Sequence, residues 1–238
     1  MPKRKSMEFL WGLFIIATWL FLLQQLFAQA QPTAVPVEQE PRHRIVFQNQ
    51  HVRIYDVLIP PGDQTLFHTH IFDLVAISIS GETGRFEMLG KPSMEGPIRS
   101  GSASFSNAAK APYTHRLENV GTTPLRMVGI ELLSSSSSPG VPAVLNTVPG
   151  HQLVLENDRV TVYRVSIDPK QSTGIRARTL PWLRVSITQS TISVQGPGKS
   201  LEIIETKAGD YRWHEGAKTD SIENIGSTKY EAIEIEWK

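Results

Sequence analysis

One stretch of this sequence occurs twice. Val46-Phe47-Gln48-Asn49-Gln50-His51-Val52-Arg53-Ile54-Tyr55-Asp56-Val57-Leu58-Ile59-Pro60-Pro61 aligns with Val154 to Pro169 at a constant offset of 108. Val, Asn, Val, Tyr, Val, Ile and Pro recur in register. Further on, Leu117-Glu118-Asn119-Val120-Gly121 matches Ile222-Glu223-Asn224-Ile225-Gly226 at an offset of 105. A period of this length with a repeated core pattern means two copies of one structural unit. Each copy is built of short alternating runs broken by Gly, Pro, Asn and Ser, without a long stretch of helical periodicity. The expected class is all-β, a jelly roll or barrel repeated twice. A chain of 238 residues, 40% of them hydrophobic, has room for two small domains or one large one. Ser134 to Ser138, followed by Pro139-Gly140, mark a flexible joint. The expected divisions are therefore a first barrel over 41–133, a linker over 134–149 and a second barrel over 150–238.

The N-terminus carries a targeting pattern. Lys3-Arg4-Lys5 precedes an uncharged apolar run from Phe9 to Leu23 that continues to Phe27, and Ala28-Gln29-Ala30 fits a small-x-small cleavage site. Residues 1–30 read as a signal peptide, with the mature chain beginning at Gln31. The alternative is an uncleaved membrane anchor, because a run of this length approaches the roughly 20 residues that span a bilayer. Basic residues before the run favour export of everything downstream in both cases, to the periplasm or the exterior. Residues 31–40 read as an extended tether.

Charge and composition exclude several functions. A formal net charge of +1 argues against nucleic-acid binding. No cysteine is present, so disulfides, thiolate metal sites and cysteine nucleophiles are excluded. No Gly-x-Ser-x-Gly elbow, phosphate loop or dinucleotide fingerprint occurs. Ser102, Ser104 and Ser106 alternate as a strand surface would.

The chemistry-bearing stretch is Pro61-Gly62-Asp63-Gln64-Thr65-Leu66-Phe67-His68-Thr69-His70. On a strand, residues i and i+2 face the same way, so His68 and His70 project together. His115, in Pro112-Tyr113-Thr114-His115-Arg116-Leu117-Glu118-Asn119, precedes another strand-like run. Gly62, five residues, His68-x-His70, then Gly81 after the strand resembles the first cupin motif, and His115-x-x-x-Asn119 is similar to the tail of the second. The resemblance implies two tandem cupin-type barrels, with His68, His70 and His115 as ligands of a metal inside the first. The family's motif glutamate does not carry over: its place holds Leu74 or Val75, and Asp73 lies one or two residues early. Asp73 is open to three readings: a fourth ligand, an acceptor orienting an imidazole, or a solvent-facing residue.

Three neutral imidazoles suit a divalent transition metal (Fe, Zn, Mn, Ni or Cu), and three protein ligands leave a position for water or substrate. A metal-free pocket of hydrogen-bonded histidines is the alternative. In the second copy His68 maps to Arg176, His70 to Arg178 and His115 to Asp220. Arginine has no lone pair to give, so the second site is lost. Arg176 and Arg178 then bind an anion, pair internally with Asp220, or end a solvated strand. His43, His51, His151 and His214 lack ligand spacing. Phe67, Phe72, Ile77 and Phe105 are expected to line the pocket. The functional expectation is an exported metal-dependent oxygenase or isomerase acting on a small organic molecule. A non-enzymatic small-ligand-binding or sensing module is the alternative. A homodimer through strand edges is compatible with the fold.

Overall fold

Two asparagines explain why the repeat is visible in the sequence. Asn49 Oδ1 accepts the backbone N–H groups of His51 and Val52, and Asn157 Oδ1 accepts those of Arg159 and Val160. Asn119 Nδ2 donates to the carbonyls of Ile59 and Thr123, and Asn224 Nδ2 to those of Ile167 and Thr228. Each pair does the same work in its own copy, closing one tight turn and clamping one strand end. Gly121 and Gly226 follow because a Cβ there would sit 3.0 Å from Glu82 Cβ and 2.7 Å from Ser190 Oγ respectively.

The computed structural model describes residues 33–134 and 142–238. The apolar segment expected as a signal peptide or anchor, and the serines 135–138 of the expected joint, lie outside the described residues. Residues Ala34 to Lys238 form one unit.

The first copy contributes two five-stranded sheets. One contains β1 (Val35–Pro36), β4 (His68–His70), β6 (Thr83–Met88), β7 (Met94–Pro97) and β9 (Tyr113–Asn119), in the order β1-β4-β9-β6-β7. The other contains β2 (His43–Gln48), β3 (Val52–Ile59), β5 (Asp73–Ser80), β8 (Ala103–Ser106) and β10 (Leu125–Leu132), in the order β2-β3-β10-β5-β8. The second copy repeats this plan. One sheet is β11 (His151–Glu156), β12 (Val160–Ile167), β19 (Tyr230–Trp237), β14 (Trp182–Ser186) and β17 (Tyr211–His214). The other is β13 (Arg176–Arg178), β18 (Lys218–Asn224), β15 (Ser190–Gln195) and β16 (Glu202–Thr206). The chain is two tandem cupin-type jelly rolls.

The two copies are fused, not strung together. Strand β10 pairs with β3 and β5, so its alternate residues face opposite ways. Val128, Ile130 and Leu132 face outward and join Val52, Ile54, Val75 and Ile77. From the second copy Val160, Val162, Leu183, Val185, Ile233, Ile235 and Trp237 meet them in one apolar cluster. Met127, Gly129 and Glu131 point the other way, into the first barrel. The parity corrects the expected lining. Ile77 and Phe105 belong to the layer between the barrels. Phe67 lies under the Arg116 guanidinium, 4.8 Å from its ring centre.

Parity also places Asp73. It pairs across β10 with Leu132, on the face turned away from the first barrel's interior. Its Oδ1 accepts the Ala109 N–H at 3.0 Å, and its Oδ2 lies 3.5 Å from Arg159 Nε of the second copy. It is buried, so the solvent-facing reading is corrected, and its partners are Ala109 and Arg159, not an imidazole.

The segment read as a tether is part of the barrel. Val35-Pro36 pairs in parallel with His68-Thr69, a 3-10 turn spans Val37–Gln39, and Val37 and Glu40 are buried.

Ile130 sits fully buried in the layer between the barrels. Ile130→Ala should lower the free energy of urea unfolding by roughly 2–5 kcal/mol, the cost of the lost contacts plus the cavity.

Candidate metal centre

The antiparallel pairing of β4 with β9 sets His68 directly opposite His115 and His70 opposite Tyr113. The ring centres of His68 and His115 are 4.4 Å apart, those of His70 and His115 5.2 Å, and those of His68 and His70 5.0 Å. The three sequence-singled histidines thus share one side of their sheet, facing the barrel interior. A fourth joins them that sequence reasoning passed over. His43, on β2 of the facing sheet, lies 4.4 Å from His68 between ring centres. One ring nitrogen each from His43, His68 and His70 can be chosen within 4.8 Å of one another, a spacing that can hold a metal ion. No local motif marks His43, because its neighbours across the barrel are distant in sequence. Its one signal is the repeat: an offset of 108 carries it onto His151, another histidine.

The nitrogen inventory fits a cation. His68 Nδ1 donates to the Leu66 carbonyl at 2.9 Å, which leaves Nε2 as a bare lone pair without a partner. His43 Nδ1 contacts Glu40 Oε2 at 2.7 Å, which leaves Nε2 as the nitrogen turned from that carboxylate. Neither nitrogen of His115 has a hydrogen-bond partner, nor does His70 Nδ1. Buried polar atoms are normally paired, so a cluster of imidazoles with partnerless nitrogens is a set of donors that could hold a cation.

Electrostatics favour the neutral form of His43, His68 and His115, the form a metal ligand needs. Burial pushes the His68 imidazole down to about 3, and the neighbouring His43 adds to the effect. Burial lowers His115 further, with His68 and His70 contributing. His43 is lowered by burial, opposed by Glu40. Burial would raise the Glu40 carboxyl, but hydrogen bonds from His43 and the backbone N–H groups of Leu66 and Arg42 hold it below the usual range.

A small chamber of about 60 Å³ lies among the four histidines, walled by Tyr55, Val57, Leu74, Ala76, Leu117, Met127 and Gly129. It shares Leu74, Ala76, His115, Leu117 and Met127 with a wider pocket of about 950 Å³ that opens outward past Phe86, Met88, Ile98 and Tyr113.

The same place in the second barrel is filled. Gly129 and Ala76, cross-strand neighbours beside the chamber, are replaced by Glu234 and Arg184, which are cross-strand neighbours too. Arg184 Nε donates to Glu234 Oε1 at 2.9 Å. Arg176, at the position of His68, donates to Asp220 at 2.9 Å and to Glu234 at 2.9 Å. Arg178 also pairs with Glu234, and His151 lies 3.3 Å from the same carboxylate. All of these are buried. Burial alone would raise the Glu234 carboxyl, but the three guanidinium groups hold it well below the carboxylate range. A carboxylate ringed by arginines occupies the interior, and Arg176 pairs with Asp220 inside it.

No family model matches the sequence, and no curated protein matches it. Solved structures do resemble its fold. AerE from Microcystis aeruginosa superposes with a TM-score of 0.57 at 12% identity, over 84% of this chain and 98% of that one. Oxalate decarboxylase from Bacillus subtilis at pH 4.6 gives a TM-score of 0.55 at 13% identity, over 79% of this chain and 68% of that one. A further structure of that enzyme, described with its Mn(II) centres, gives 0.54 at 12%, over 79% and 69%. The fold is that of a two-domain cupin, and a histidine cluster able to hold a metal lies in its first barrel.

Two outcomes follow from these environments. His68 takes up a proton at about pH 3 in the folded chain and near 6.5 when unfolded. Between those values the unfolded chain binds more protons, so stability is full above about pH 6.5 and is lost as pH falls towards 3. In thermal denaturation from pH 7.5 to 4, the metal-free protein should therefore lose melting temperature more steeply than a His68→Gln variant. Glu234→Gln leaves three buried guanidinium groups without their shared anion, and should cost roughly 3–5 kcal/mol in urea denaturation.

Proposed function

We propose that this chain is an exported cupin whose first barrel holds one divalent transition metal and acts on a small, largely apolar organic molecule. The carrying observation is the set of partnerless imidazole nitrogens at the closed end of an open pocket. His68, His70 and His115 would hold the ion, with His43 as an additional donor from the opposite sheet. When bound, the metal supplies Lewis-acid or redox chemistry at that point. The chain's own residues do the rest. Leu66 and Glu40 fix the tautomers of His68 and His43. Leu74, Leu117 and Met127 exclude bulk water from the chamber. Tyr113 stacks on His70, with ring centres 5.1 Å apart, and lines the way in.

The lining narrows the substrate. Phe86, Met88, Met94, Ile98, Leu117 and Met127 dominate the wider pocket, and Lys91 is its one lysine or arginine among the described residues. A small dianion such as oxalate would need more cationic partners than this wall offers. A molecule with a ring or short alkyl body and one polar end fits better, its body against adaptable methionines and its polar end toward the histidines. Oxygenase or isomerase chemistry is compatible with a histidine site of this kind. A non-enzymatic ligand-binding role is favoured by one observation: beyond His115, the pocket wall offers Glu95 as its single carboxylate among the described residues.

Elemental analysis of the purified protein, beside a variant with His68, His70 and His115 changed to Ala, tests the reading. Near-stoichiometric transition metal in the parent protein and its loss in the variant are expected. No metal after reconstitution at neutral pH would reduce the first barrel to a metal-free pocket. With metal bound, dioxygen uptake on a panel of apolar organic compounds separates the enzyme from the binding module.

A further inference from the structure

His68 and His43 each have an acceptor at Nδ1, and His70 stands apart from both. Its Nδ1 has no hydrogen-bond partner, and neither has Glu131 Oε1. The two atoms face each other at 3.8 Å. Glu131 is fully buried, and its place is fixed from two sides. On β10 its side chain points into the first barrel, across from Arg53 on β3 and Leu74 on β5. Its other oxygen, Oε2, accepts the Tyr55 O–H at 2.9 Å and Arg53 Nη1 at 3.0 Å. Arg53 is braced in turn by Gln48 Oε1 at 2.8 Å. Two donors therefore hold one oxygen and leave the other aimed at a single imidazole nitrogen.

We propose that Glu131 is a positioning residue for His70. Its free Oε1 accepts the His70 Nδ1–H, and this sets the tautomer in which Nε2 carries the lone pair turned to the metal. The gap is about 0.8 Å longer than an ordinary N–H···O hydrogen bond and closes with a small ring rotation. With Leu66 and Glu40, this completes an orienting acceptor behind each of three histidines. It also supplies a carboxylate that the sequence motif lacks, from a strand 61 residues beyond His70, counting from 70 to 131. The consequence for metal affinity rests on the metal-binding reading; the contact itself does not.

Long-range proton–nitrogen spectra of the metal-free protein, labelled with nitrogen-15 histidine, read the tautomer directly, with His70 assigned through His70→Gln. The parent protein should show His70 protonated at Nδ1 and bare at Nε2. Glu131→Met should lose that preference, while Tyr55→Phe keeps it. Cobalt(II) affinity should fall roughly 10–100-fold in Glu131→Met, with a shifted visible absorption band. Should the methionine variant fail to fold by circular dichroism, Glu131→Gln is read instead, with an affinity loss in the same direction. A parent His70 protonated at Nε2, or an unchanged cobalt affinity, would overturn the proposal. So would a loss as complete as that of His70→Ala, which would make Glu131 a ligand. If the parent protein binds no cobalt at all, the metal-binding reading fails, while the tautomer measurement still decides whether Glu131 holds His70.

Discussion

Everything in the first barrel depends on the two-residue period of one strand. Strand β10 presents Met127, Gly129 and Glu131 to the barrel interior and Val128, Ile130 and Leu132 to the second barrel. A slip of one residue would exchange the two sets, putting a carboxylate into the apolar layer and isoleucine beside the histidines. The chamber and the joint between barrels are thus opposite faces of one register, fixed by pairing with β3 on one side and β5 on the other. Gly129 matters through what it lacks: with Ala76 across from it, it leaves room that larger side chains would fill.

Much of this was legible in the sequence, for definite reasons. The repeat showed itself because turn-closing asparagines and core valines are hard to replace. His68 and His70 were legible because their relation is local, and His115 because its pattern resembles a known motif. What escaped was whatever depends on two strands meeting. His43 has no neighbour in sequence that explains it, and Glu131 reads as an ordinary strand residue until Tyr55 and Arg53 are seen to hold it. Asp73 sits close to the motif in sequence but one step out of phase with the barrel interior, and phase decides its partners. Ile77 and Phe105 were given to the pocket on hydrophobicity alone, which cannot say which side of a sheet is inside.

The two barrels solve one problem in different ways. A jelly roll with polar groups at its centre must satisfy them without water. In the first copy they are mostly imidazoles, several of whose nitrogens have no hydrogen-bond partner. In the second they are arginines that share the Glu234 carboxylate as their counter-charge. The replacements at Ala76 and Gly129 are what convert an open chamber into a filled one. Sequence could show that the ligands were lost, but not what had taken their place, because Glu234, which gathers the arginines, lies 58 residues beyond Arg176.

The shared apolar layer joins these halves into one object. Ile130, Val75 and Val128 of the first copy share one buried apolar cluster with Leu183, Val185 and Ile233 of the second. The second barrel carries the counter-charges of its arginines, Glu234 and Asp220, within its own copy. A change in the apolar layer therefore reaches the histidine chamber through the strand both share, β10.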